Sequence, residues 1–132
     1  MGKEALPRPY EVMFYVAMKD GPAYGYQLAL RFRKMTGGRI KVSYGTIYPF
    51  LRKMERRGII RSRRDEKSGR IYYELTRRGV EADKVVLKRM KECQKDMEEK
   101  LLGIISVHAQ IFGRKALREL LGRANSQVKA SL

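Results

Sequence analysis

The chain has 132 residues, of which 43% are apolar, enough for one domain plus an assembly element. Its net charge of +16, from 30 Lys and Arg against 14 Asp and Glu, points to a polyanionic partner: nucleic acid, an anionic membrane surface or an acidic protein. With one cysteine, Cys93, and one histidine, His108, the chain has neither an internal disulfide framework nor a His/Cys metal set.

The rest of the composition narrows the class. Met1 to Pro7 has no apolar h-region of a signal peptide, and no run approaches the roughly 20 apolar residues of a membrane span. The expectation is a soluble, cytoplasmic protein that needs no metal and no cofactor. No P-loop and no carboxylate pair supported by spacing argues for an enzyme. The charge is also localised. Arg31 to Arg78 holds 16 basic and 4 acidic residues, a net of +12, while the remainder supplies +4.

In chain order, Pro9 followed by Val12, Met13, Val16 and Ala17 predicts a short amphipathic helix, stopped by Asp20-Gly21-Pro22. A second helix is expected from Tyr24 to Met35, burying Leu28, Phe32 and Met35 and exposing Arg31 and Lys34. Thr36-Gly37-Gly38 ends it. Arg39-Ile40-Lys41-Val42 alternates as a brief strand would.

Ser43 is a candidate N-cap for a third helix reaching Arg57, with Gly58 as its stop. Ile47, Leu51 and Met54 form its apolar stripe, leaving Thr46, Tyr48, Arg52, Lys53 and Arg56 outside. Pro49 removes a donor and crowds the Gly45 carbonyl, so an opened or bent first turn is expected. Ile59 to Arg64 and Arg70 to Leu75, around Asp65-Glu66-Lys67-Ser68-Gly69, read as a β-hairpin. Within it Tyr73 alternates with Ile71 and Leu75 as core.

Thr76 then caps a long helix. Val80, Leu87, Met90, Gln94, Met97, Leu101, Ile104, His108 and Ile111 keep a heptad register with Asp83 as its charged member, the pattern of helices pairing between chains. Leu87 to Ile111 of that set are the expected homodimer interface. Gly113 breaks the helix, Lys115 to Leu121 forms a short last one, and Arg123 to Leu132 is loosely ordered. The expected fold class is mostly α with a small β-hairpin (α+β): a winged helix-turn-helix domain plus a long C-terminal dimerisation helix. The domains are 1–76 for DNA binding, 77–122 for dimerisation and 123–132 as a disordered tail.

The functional expectation rests on two cationic prongs. A helix fits the major groove, where Arg reads guanine edges and Thr contacts thymine methyls. The basic hairpin, with Arg63, Arg64, Lys67 and Arg70 on and beside its tip, can lie along a backbone or enter a narrow minor groove. Against this, Arg and Lys on an exposed helix are often merely solvated, and Tyr24, Tyr26, Tyr44, Tyr72 and Tyr73 are equally suited to packing. Arg77 and Arg78 either face phosphate or pair with Glu81.

Three motifs resemble the PadR-like family of winged helix-turn-helix regulators. Gly21-Pro22-x-x-Gly25-Tyr26 is similar to the start of that family's second helix. Ser43-x-Gly45-Thr46-Ile47-Tyr48-Pro49-x-Leu51-x-x-Met54-Glu55-x-x-Gly58 resembles its recognition helix. Gly69-Arg70 and Tyr73-Glu74-Leu75-Thr76-x-x-Gly79 resemble its wing and the exit into the dimer helix. The resemblance implies a homodimer on palindromic operators in double-stranded DNA, usually a repressor. It also implies a DNA role for Ser43, Tyr44, Thr46, Tyr48 and Arg52, beside which Tyr26, Lys53 and the four hairpin cations complete the expected set. Tyr24 stands where many relatives carry His, and Ile71 where they often carry a further basic residue. Relatives that bind aromatic drugs depend on Trp, and this chain has none, so a small-molecule effector stays unassigned. A sequence-independent nucleoid or RNA-binding protein is the alternative that the same charge would serve.

Overall fold

The computed structural model describes residues 8–132, so the signal-peptide reading of Met1 to Pro7 lies outside the described residues. The elements run α1 (Pro9–Met18), β1 (Ala23–Tyr24), α2 (Gly25–Met35), α3 (Tyr44–Arg56), β2 (Ile60–Arg64), β3 (Ile71–Leu75) and α4 (Arg77–Ser131). This is the mostly helical fold with a β-hairpin that the sequence implies. Two compact units divide the chain, residues 1–89 and 90–132.

In the first unit, one core gathers Phe14, Leu28, Phe32, Ile47, Leu51, Met54 and Ile60, all within 2% of full burial. Three helices and the hairpin each contribute one apolar side. α1 differs from expectation. Phe14, Tyr15, Ala17 and Met18 are buried, whereas Val16 is 39% exposed and Val12 and Met13 are half-buried. The aromatic residues override the predicted stripe: Phe14 packs edge-on against Tyr15 at 5.5 Å and Phe50 at 5.4 Å, contacts that add to their burial. Burial pushes the Tyr15 phenol pKa up, against the nearby Arg57 guanidinium and with Glu11 and Asp83 adding to it.

Arg31 also departs from its expected solvated role. Its guanidinium donates to the carbonyls of Ala17 (3.1 Å) and Gly21 (2.8 Å), closing the C-terminal end of α1, where a cation suits the helix dipole. The strand expected at Arg39 to Val42 is absent. The Ile40 N–H goes instead to the Thr36 hydroxyl at 3.0 Å, and Val42 packs against the core from an irregular loop.

A two-residue strand stands elsewhere. β1 pairs antiparallel with β3 (Ala23 with Tyr73, Tyr24 with Tyr72), so β3 is central in the order β1-β3-β2. β2 pairs with β3 from Ile60–Leu75 to Arg64–Ile71. Tyr73 and Leu75 face the core as expected, but Ile71, at the hairpin's outer end, is 49% exposed.

The join between hairpin and α4 is the tightest point of this unit. The Thr76 N–H donates to the Ile59 carbonyl at 3.0 Å, while its hydroxyl donates to the Gly58 carbonyl at 2.5 Å and accepts from the Gly79 N–H at 3.0 Å. That last bond is the N-cap expected of Thr76. Gly58 itself adopts φ +76°, and the Ile59 N–H returns to the Met54 carbonyl at 3.0 Å, ending α3 in a Schellman turn. Gly79 is buried so closely beneath Ile59 that a Cβ there would overlap the Ile59 carbonyl oxygen.

The start of α4 buries Gly79 and packs Ala82 and Val86 against the core of its own chain. Val80, the first heptad member, is 42% exposed within its own chain. Intramolecular packing accounts for Ala82 and Val86, which lie outside the heptad set.

In the second unit the helix breaks at Gly113, with φ 88° and ψ 175°, as expected. Beyond it, helix resumes to Ser131, in place of a short helix ending at Leu121 and a loose tail from Arg123. Leu117, Leu121, Ala124 and Val128 fall at i, i+4, i+7 and i+11, and this sparse stripe continues through the polar tail.

Replacing Gly79 with Ala should cost about 1–3 kcal/mol, because backbone must move to admit a methyl group. Urea unfolding of the variant beside the parent measures this, and an unchanged midpoint would refute the close approach.

Candidate nucleic-acid interface

α3 is two-faced for a simple reason. Ile47, Leu51 and Met54 are at most 1% exposed. At 3.6 residues per turn, the side opposite them carries Gly45, Pro49, Arg52 and Arg56, flanked by Thr46 and Lys53 on one side and by Tyr44 and Tyr48 on the other. All eight are exposed. Pro49 is accommodated within a helix that remains continuous from Tyr44 to Arg56. Gly45, whose carbonyl Pro49 cannot bond, and the compact Pro49 ring keep the N-terminal part of this outer side slim.

Ser43 occupies the N-cap position with extended backbone, but its hydroxyl does not cap the helix. It meets the Thr46 hydroxyl at 3.2 Å instead, leaving two adjacent hydroxyls at the helix start. Tyr44 and Tyr48 stack with centroids 5.9 Å apart, 52% and 39% exposed. Tyr48 is held from behind, since a Cβ on Gly25 would come within 2.8 Å of its hydroxyl oxygen. The sequence motif Gly25-Tyr26 is thus explained in part by the room that Tyr48 needs. Tyr73 lies under the same helix. Burial raises its phenol pKa, with Glu55 and Tyr48 adding and Arg52 opposing.

Arg57, one residue past α3, is committed elsewhere: its guanidinium bridges to Glu11 on α1 at 3.0 Å. Arg61 is likewise paired across the hairpin with Glu74 at 2.7 Å. Arg63, Arg64 and Lys67 are exposed around an open depression that also includes Asp65, Glu66 and Tyr72, so the wing tip mixes charges, and Arg70 is exposed beside it in the chain. Asp65 serves the turn. It accepts from the Ser68 hydroxyl (2.6 Å) and N–H (3.2 Å), while its own N–H reaches the Arg70 carbonyl at 2.8 Å.

Arg70 lies with its guanidinium carbon 4.6 Å from the Tyr24 ring centroid. Tyr26, expected at the interface, is 49% exposed and stacks on Tyr24 at 6.4 Å. Arg77 and Arg78 are exposed; Arg78 runs beside Gly58, and Glu81 is bridged by Lys84 at 3.3 Å. Sequence reasoning passed over Gly45 and Pro49 as parts of the outer side, and over Tyr24 as a partner of Arg70. Helical phase alone could have found the first pair; the second depends on a strand pairing across nearly fifty residues.

The decisive comparison covers this same region. The model of the transcriptional regulator PadR-like family matches residues 14–84, from the core of α1 through the hairpin to the first turns of α4. The chain belongs to that family. It is a DNA-binding transcriptional regulator with the PadR-like winged-helix fold. The chain resembles a transcriptional regulator from Clostridium thermocellum at TM-score 0.61 and 22% identity, over 67% of this chain and 86% of that one. A PadR-like transcriptional regulator from Bacillus cereus aligns at TM-score 0.61 and 24% identity, over 70% and 90%. Bacillus subtilis PadR in complex with operator DNA aligns at TM-score 0.50 and 22% identity, over 61% of this chain and 46% of that one. At these identities the structures speak for the fold alone. A search of curated proteins finds no match.

No described helix of this PadR-like regulator is long and apolar enough to cross a membrane. In the second unit, Met97, Leu101, Ile104 and Ile111 are between 38% and 67% exposed, together with Leu102, Val107 and Phe112. Gln94 is exposed and donates to Glu98 at 2.8 Å within its own helix. Met90 is half-buried, as is Leu87 in the first unit. His108 is half-buried against Phe112 at 4.9 Å, and its Nδ1 has no hydrogen-bond partner among the described residues.

The Asp65 bonds predict a pH response at the wing. Hydrogen bonds from Ser68 hold its carboxyl below the ordinary value of 3.8, with slight desolvation opposing. A depressed folded pKa means that support for the turn is complete above the ordinary value and is lost as pH falls through the lower one. A carboxyl NMR titration should place the Asp65 midpoint below 3.8. A midpoint at or above it would show the turn bonds to be unimportant in solution.

Proposed function

We propose that this regulator acts as a homodimer that represses transcription by occupying a palindromic operator, with α3 in the major groove and the hairpin on the adjacent backbone or minor groove. The observation that carries this reading is the outer side of α3: Thr46, Tyr48, Arg52, Lys53 and Arg56 exposed on a helix whose other side is sealed into the core. Arg52 and Arg56 offer paired donors for guanine edges, the Thr46 methyl suits thymine, and Ser43, Tyr44 and Lys53 reach toward phosphate. Arg63, Arg64, Lys67 and Arg70 extend the cationic track beyond the groove, and Tyr26 adds a neutral hydroxyl donor to the same surface.

Two-fold protein symmetry would supply the palindrome. The apolar residues between Met97 and Phe112 support pairing of helices between two chains, because so many exposed side chains on one helix are unusual for a monomer. Leu87, Met90, Gln94, Met97, Leu101, Ile104, His108 and Ile111 are the residues proposed to line that interface, within a dimerising region assigned to 77–122. The DNA-binding region is assigned to 1–76, and the proposed place of action is the cytoplasm.

Selection of bound sequences from random DNA tests the proposal: it should return an inverted repeat with half-sites about one helical turn apart. Recovery of no motif would favour sequence-independent binding. Arg52→Ala should then cost roughly 1–3 kcal/mol of operator affinity and relax preference at one base pair. Equal loss on every sequence would reassign Arg52 to phosphate. Leu101→Glu should yield monomers that bind the operator weakly, as read by sedimentation and titration, and an intact dimer would refute the helix pairing.

A further inference from the structure

Among the wing cations, Arg70 is held from outside the hairpin. Its backbone is set by the turn, with its N–H on the Ser68 hydroxyl at 3.2 Å and its carbonyl on the Asp65 N–H at 2.8 Å. Its guanidinium then lies 4.6 Å over the ring of Tyr24, a residue of β1, 46 positions earlier in the chain. The ring is itself well supported. Tyr24 pairs in register with Tyr72, whose ring meets it edge-on at 5.4 Å, and Tyr26 stacks on it at 6.4 Å. Gln27 fixes the backbone, accepting from the Tyr24 N–H at 3.3 Å.

A cation–π contact of this kind consumes no hydrogen-bond acceptor, and Arg70 is exposed, so its guanidinium N–H groups stay available to phosphate or base acceptors. Holding the side chain in advance also removes part of the rotamer freedom that a long arginine otherwise loses on binding.

We propose that Tyr24 is a positioning residue for DNA binding: its ring pre-orients the Arg70 guanidinium, so that the wing meets the duplex with one cation already placed. The inference rests on the reading in which the wing touches DNA, and it assigns Arg70's contribution jointly to a strand outside the hairpin. Tyr24 touches no DNA itself in this account. It also gives the tyrosine at this position a physical role, since the planar ring supplies the face that a cation needs.

A double-mutant cycle on the selected operator tests it, using Tyr24→Leu, Arg70→Ala and the double variant, with Tyr24→Phe as the conservative control. Tyr24→Leu should weaken binding about two- to fivefold, Tyr24→Phe should match the parent, and the double variant should equal Arg70→Ala alone. Additive losses, or a loss in Tyr24→Phe equal to that in Tyr24→Leu, would overturn the proposal. One readout does not depend on how well Tyr24→Leu folds. The Arg70 δ-protons of the free parent protein should be ring-shifted upfield in NMR and remain so in Tyr24→Phe. Unshifted protons refute the stack whether or not DNA binds, whereas shifted protons in a protein that selects no DNA sequence would sink the DNA reading while leaving the stack in place.

Discussion

The junction at Thr76 organises the first unit. One hydroxyl joins the end of α3, through the Gly58 carbonyl, to the first turn of α4, through the Gly79 N–H. The Thr76 N–H adds the Ile59 carbonyl, immediately before β2. Four elements therefore meet within a few ångströms: α3, both hairpin strands and α4. Because Gly79 sits directly beneath Ile59, they meet without an intervening side chain. The junction thus ties the end of α3 to the hairpin and to the start of α4, an arrangement suited to the two-pronged grip proposed above.

Charge acts within that frame. The net charge of +16 says only that a polyanion is attracted. The structure sorts the cations by task. Arg31 closes the end of α1, Arg57 bridges to Glu11, and Arg61 pairs with Glu74; these are occupied within the fold. Arg52, Lys53 and Arg56 project from the side of α3 that no core residue occupies. Arg70 stands between the groups, exposed but stacked on Tyr24. Ionic contacts at this level of exposure stabilise the fold only weakly, so their value lies more in fixing geometry than in raising stability.

Much of this was legible from local sequence. Gly58 and Thr76 announce helix ends by chemistry that operates within four residues, and Ile47, Leu51 and Met54 announce a buried side by their spacing. What escaped depends on distant partners. β1 is two residues long and exists because β3 offers an edge. Arg39 to Val42 has the alternation of a strand but spends a backbone donor on Thr36. Arg31 is solvated by every local criterion, yet its partners are carbonyls 10 and 14 residues away. Ala82 and Val86, which lie outside the heptad set, likewise join the core of their own chain. The exposed side of α3 follows from helical phase, whereas the Ser43 hydroxyl, expected to cap the helix, pairs with Thr46 instead.

The central claim is that the outer side of α3 recognises base sequence, beyond the attraction of its charge to phosphate. Affinities of the intact protein for its selected site and for a shuffled duplex of equal length and composition, measured at one physiological salt concentration, test it most directly. The account predicts a ratio on the order of 10³ or more in favour of the selected site. Equal affinities, falling together as salt rises, would contradict it and leave a protein that grips DNA by backbone charge alone.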